Sequence, residues 1–136
     1  MSKERTFVML KPDCLKRGLV GLVIARIENK GWHIVEAKTR ALDPTFLYEF
    51  YDHIKDKPYF LPAFNYMLSG VVLGMIVEGE DAINGMRRLI GPTVIEDAMP
   101  GTIRGDFATS SASSLIHASR SAEHVKAETS IFFETQ

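Results

Sequence analysis

Residues 114–121 read SLIHASRS. One histidine, His117, stands there between two apolar residues and a run of small, hydroxyl-bearing ones. Leu115 and Ile116 would anchor the backbone, while Ala118 and Ser119 leave space around the ring. An imidazole so placed can be packing, a metal ligand or a nucleophile. Metal binding is disfavoured by the rest of the chain. A single cysteine, Cys14, and four scattered histidines offer no zinc-ligand pair at suitable spacing. Glu128 lies one short helix downstream. It either holds one ring nitrogen of His117, freeing the other as a lone pair, or pairs with His124 at i,i+4 on the helix surface. His33 and His53 have no such company and read as structural.

Cations stand at the ends of elements. Lys11 follows an apolar run and precedes a proline. Arg87 and Arg88 close a helical segment. Arg104 sits in PGTIRGDF between two glycines, where backbone can approach a ligand closely. Singly, each is an ordinary surface cation; Lys11, Arg87 and Arg104 converging on one place would form a polyphosphate site. No Walker loop, GxGxxG, CxxC, HExxH or GxSxG is present.

The elements that must position these groups follow from patterning. Residues 6–10, TFVML, read as a buried strand closed by Pro12. Apolar spacing predicts a helix over 19–30, stopped by Gly31, then a strand over 32–41. Asp43-Pro44 reads as an N-cap with proline in the first turn, opening a helix over 45–54. A short helix is expected over 60–68. Residues 71–77, VVLGMIV, form an almost wholly apolar and therefore central strand. A helix over 81–90 follows, then irregular chain over 93–114. A helix capped by Ser121 is expected over 121–128, and a last strand over 130–133, SIFF. This order suits an α/β sandwich with helices on one face of a small sheet.

Composition bounds the rest. The 136 residues fit one domain spanning 1–136, and 46% hydrophobic residues suffice for a core. Sixteen basic and seventeen acidic residues leave a net charge of −1, so there is no global attraction to nucleic acid or to an anionic membrane. No apolar stretch approaches the ~18 residues that span a bilayer, and no signal-peptide core is visible. A cytoplasmic location is the expectation, which one free cysteine fits.

Several stretches together resemble the nucleoside diphosphate kinases, in their compact bacterial-type form. They are TFVMLKPD at 6–13, RGLVG at 17–21, KPYF at 57–60, YMLSG at 66–70, RRLIG at 87–91, PGTIRGDF at 100–107 and IHAS at 116–119. The resemblance implies a ferredoxin-like fold, a four-stranded antiparallel sheet covered by helices. It implies transfer of the γ-phosphate of ATP or another nucleoside triphosphate to a nucleoside diphosphate. His117 matches the nucleophile, through a phosphohistidine with ping-pong kinetics. Lys11, Arg87, Thr93 and Arg104 match nucleotide contacts, and Tyr59 matches the ring that stacks on the base. Tyr51, Ser119 and Glu128 match groups supporting the histidine. Mg²⁺ is implied as cofactor, held by phosphates and water rather than by protein ligands. A homo-oligomer is implied, a hexamer ahead of a tetramer.

Four positions depart from the family pattern. Ser114 stands where an asparagine usually helps hold the ribose 3′-hydroxyl, Arg120 where an aspartate is usual, Cys14 where glycine is, and Pro92 precedes Thr93. They motivate an alternative, a member that binds nucleotide as a regulatory module with weak turnover.

Overall fold

A computed structural model describes residues 3–111 and 114–134. Its centre is β1 (Lys3–Leu10), which is followed by a one-turn helix α1 (Pro12–Lys16), α2 (Val20–Asn29) and β2 (His33–Ala41). Then come α3 (Pro44–Phe50), a 3₁₀ turn at Asp52–Ile54, α4 (Phe60–Met67), β3 (Val71–Glu80) and α5 (Ala82–Ile90). A second 3₁₀ turn at Ile95–Asp97, α6 (Ile103–Phe107), β4 (Ile116–Ala118) and α7 (Ala122–Glu134) complete the chain.

The sheet is antiparallel throughout, in the order β2-β3-β1-β4. β1 and β3 are the inner strands because both are apolar on both faces. On β1, Val8 and Leu10 face one core with Val23, Ile27, Met86 and Ile103. Phe7 and Met9 face a second core with Phe46, Phe64, Met67 and Phe132. Since successive strand residues point to opposite faces, helices cover the sheet on both sides, not on one.

Local signals open several helices. Asp43 Oδ1 accepts from the Phe46 amide at 2.8 Å, with Pro44 in the first turn of α3. Ser121 Oγ accepts from the His124 amide at 3.3 Å and caps α7. Inside the segment expected to be irregular, Thr102 Oγ1 accepts from the Gly105 amide at 2.9 Å and starts α6. Positions 112 and 113 of that segment lie outside the described residues.

The end of the chain departs from expectation. Residues 130–133 are not a strand; they are the last turns of α7. There Phe132 is fully buried, lying over Gly74 of β3, where a Cβ would stand 2.3 Å from its ring. The fourth strand is instead the three residues around His117. They pair with β1 as Val8↔Ala118, Met9↔His117 and Leu10↔Ile116.

Candidate active site

β4 is an edge strand. Because His117 pairs with Met9, its ring points to the same face as Phe7 and Met9. Phe50 packs edge-on against it, with ring centroids 4.9 Å apart. Beside it opens a cavity of about 130 Å³, whose walls come from both helical layers. Arg87, Gly91, Thr93 and Arg104 line one part of it, and Tyr51 and Glu128 another.

The backbone leading into β4 is strained. Leu115, fully buried, has φ of 72°, in the left-handed region that leucine rarely adopts. The Ile116 amide donates to the Ser114 carbonyl at 2.8 Å, closing the tighter, positive-φ γ-turn around Leu115. Such a residue costs on the order of 1–3 kcal/mol and persists only where neighbours hold it. Two do. The Lys11 amide donates to the Leu115 carbonyl at 2.8 Å. The Arg104 guanidinium donates from Nε to the Ser114 carbonyl at 3.3 Å and from Nη2 to the Ile116 carbonyl at 2.6 Å. Its Nη1 donates to the Gly91 carbonyl at 2.9 Å. A guanidinium has five N–H groups; three are spent on backbone, and Arg104 also lines the cavity.

Glu128, on α7, decides the state of the imidazole. Its Oε1 accepts from His117 Nε2 at 2.8 Å and from the Ser119 hydroxyl at 2.7 Å. Burial pushes this carboxyl up, but the hydrogen bonds from His117 and Ser119 outweigh it, and the net shift is down. An ionised carboxylate only accepts, so Nε2 carries the proton. In the neutral ring Nδ1 is then the lone pair, and no described residue engages it in a hydrogen bond. Of the two partners open to Glu128, the structure selects His117. His124 is occupied otherwise, its Nδ1 lying 2.8 Å from Ser121 Oγ.

Of the three cations, Arg87 and Arg104 line the cavity and Lys11 does not, although its charge feels that of Arg104. Lys11 is half-buried and donates from Nζ to Ser114 Oγ at 2.9 Å. Burial, and then the Arg104 charge, pull its ammonium down to about 8. Burial, and then Arg87, pull Arg104 down to about 10. In both groups burial acts first and the neighbouring like charge adds to it. Burial raises the Tyr51 hydroxyl to about 12, so it remains a hydrogen-bond donor.

Other sequence candidates stand further out. Tyr59, just before α4, is 55% exposed and lies outside the cavity wall; Ser114 is buried behind that wall. His53 does not fit its structural reading, because it lines the cavity together with Arg120 and His124. Its position two residues after Tyr51, on the same turn, is the signal that could have found it. Among the described residues there is no cluster of three His, Cys, Asp or Glu side chains able to hold a metal ion. Among them, too, no helix is long and apolar enough to cross a membrane.

A family model for nucleoside diphosphate kinase matches residues 4–136. The chain belongs to the nucleoside diphosphate kinase family. It is 52% identical over 130 residues to the nucleoside diphosphate kinase of Ignicoccus hospitalis, covering 96% of this chain and 88% of that one. It is 47% identical to the nucleoside diphosphate kinase of Methanocaldococcus jannaschii, covering 97% and 94%. Among solved structures, the halophilic nucleoside diphosphate kinase of Halobacterium salinarum in complex with CDP superposes with a TM-score of 0.94 at 40% identity, covering 98% and 90%. The apo enzyme of Encephalitozoon cuniculi gives 0.94 at 37% identity, covering 97% and 90%. The fold is thus the ferredoxin-like sandwich of nucleoside diphosphate kinases, and the chain is a phosphotransferase of that family.

Proposed function

We propose that the chain moves a terminal phosphoryl group between nucleotides through a phosphohistidine on Nδ1 of His117. The observation that carries this reading is the Glu128–His117 contact, which leaves Nδ1 open in a cavity lined by guanidinium groups. In the first half-reaction Nδ1 attacks the γ-phosphorus of a nucleoside triphosphate. The bond from that phosphorus to the β,γ-bridging oxygen breaks, and the diphosphate leaves with that oxygen. In the second, a β-phosphate oxygen of an acceptor diphosphate attacks the phosphorus and the N–P bond breaks. The ring needs no other base: it starts neutral and returns neutral, and Glu128 stabilises the positive charge it carries while phosphorylated.

Phosphoryl transfer asks chiefly for placement and for cations around the equatorial oxygens. The two uncommitted N–H groups of Arg104, with Arg87, Thr93 and Lys11, would supply them. Glu128 is the cavity's carboxylate and is occupied by His117 and Ser119. Mg²⁺ would therefore arrive with the substrate, its shell completed by phosphate oxygens and water. Exposed Tyr59 suits base stacking, which is indifferent to base identity. Lys11, held from behind by buried Ser114, would meet the ribose 3′-hydroxyl, admitting ribo- and deoxyribonucleotides. Self-association, as a hexamer ahead of a tetramer, belongs to the same reading. Its support is the edge strand β2 with exposed Val35, and exposed Leu22 on α2. So does a cytoplasmic location, with the free buried thiol of Cys14.

Incubation with Mg-ATP alone tests the reading. The expected product is an acid-labile, alkali-stable phosphate on His117 that transfers to added GDP or dTDP and is missing in His117→Ala. Tight nucleotide binding without label would instead support the binding module with weak turnover.

A further inference from the structure

The cavity carries charged and titratable groups beyond Arg87, Thr93 and Arg104. Three groups from three elements line it: His53 from the turn after α3, Arg120 from the link between β4 and α7, and His124 from the first turn of α7. Arg120 is exposed and makes no side-chain hydrogen bond or ion pair with any described residue. His124 spends Nδ1 on Ser121 and keeps its other ring nitrogen. The charged or titratable groups acting on His53 are Arg120, His124, Glu128 and His117. Burial comes first, then Arg120 and His124, in holding its imidazole below the ordinary value; only Glu128 opposes them. That carboxylate is already committed to His117 and Ser119. Arg120 and His124 thus both disfavour the charged form of His53, and the carboxylate that favours it is hydrogen-bonded elsewhere. The donors of all three groups are of the kind that a tetrahedral oxyanion satisfies together.

We propose that Arg120, His53 and His124 form a second oxyanion subsite, distinct from the Arg87–Thr93–Arg104 wall, that takes a free inorganic phosphate beside a bound nucleoside diphosphate. The subsite needs only the cavity, and it stands whether or not His117 turns over. Binding strengthens as His53 gains its proton, since the anion then offsets the repulsion that kept the proton away.

Calorimetric titration of inorganic phosphate into protein saturated with ADP, at constant ionic strength, tests this. One phosphate per chain is expected. Arg120→Asp, which turns attraction into repulsion, should weaken it about tenfold or more. Sulfate, whose charge is constant over the range, reports the pH effect and should bind several-fold tighter at about pH 5.5 than at about pH 7.5. His53→Asn should bind the anion but flatten that dependence. The proposal is overturned if phosphate fails to bind alongside ADP, if Arg120→Asp binds it as the parent does, or if sulfate affinity ignores pH. Labelling of His117 by Mg-ATP in the absence of phosphate is run in parallel. Label without phosphate binding removes the subsite alone; phosphate binding without label removes the kinase mechanism alone.

Discussion

Nε2 of His117 and the hydroxyl of Ser119 share a single oxygen, Oε1 of Glu128, at 2.8 and 2.7 Å. Strand, turn and helix α7 are thereby tied at one atom, and the tautomer of His117 is set by a residue eleven positions downstream.

Glu128→Gln keeps the shape and removes the charge. A neutral amide no longer fixes the proton on Nε2, nor stabilises the phosphorylated ring. We expect kcat to fall about 10²-fold, the lower range for a positioned proton partner, with KM little changed. Rapid-quench measurement of phosphohistidine formation checks it. The carboxyl sits net below its ordinary value, so its stabilising contribution is complete above the unfolded value of about 4.3 and is lost as pH falls through the lower folded value. An acid limb in the melting temperature should therefore be present in the parent and reduced in Glu128→Gln.

Lys11 sets an alkaline limb. Its ammonium titrates at about 8 in the free protein. Above that pH it loses the charge that would meet phosphate, so kcat/KM for a nucleoside triphosphate should decline with a midpoint near this value. In Lys11→Ala the limb should be absent and the plateau lower by about 10²-fold, roughly 3 kcal/mol of lost transition-state contact. Stability runs the other way. A lysine depressed in the folded state penalises folding below about 8, and the penalty disappears as pH rises past the unfolded value of about 10.4.

Ser114→Ala removes the acceptor for Lys11 Nζ. A half-buried ammonium left short of a partner costs about 1–3 kcal/mol. The Lys11 limb should also move to lower pH, because the lost hydrogen bond favoured the charged form. Thermal denaturation and the pH profile of kcat/KM read the two effects. A limb that stays in place would show that Ser114 does not support the ammonium.

Gly74→Ala reaches the site from a distance. The new Cβ would stand 2.3 Å from the Phe132 ring on α7, the helix that carries Glu128. Overpacking of this kind costs about 1–3 kcal/mol, and here displacement of α7 should lower kcat as well. Adding Phe132→Leu should recover part of both losses, a non-additivity visible in a double-mutant cycle.

Much of the frame was legible because it is written in local periodicity. β1 and β3 announce themselves as continuous apolar runs, α2 by its spacing, and α3 by Asp43-Pro44. SIFF misled because β-prone residues at 130–133 are held in a helix by Phe132 seated over Gly74, a contact that no local pattern encodes. β4 is too short to alternate visibly, and its pairing with β1 is a long-range event. In the cavity, His117, Arg87 and Arg104 stood out by residue type and spacing, whereas spacing left Glu128 between His117 and His124 until the fold brought it to His117. Arg120 gave no such signal and His53 only its nearness to Tyr51, because their place in the wall depends on how two turns from distant parts of the chain come together.

The three carbonyls gripped by Arg104 belong to the exit of α5 and to both sides of the γ-turn at Leu115. Charge and carpentry are thus vested in one side chain. An anion drawn to the free N–H groups of Arg104 would also load the peptide units on either side of Leu115, which would link occupancy of the cavity mechanically to the seating of His117. A lysine at position 104 would retain the charge, but it lacks the planar fork that spans those carbonyls.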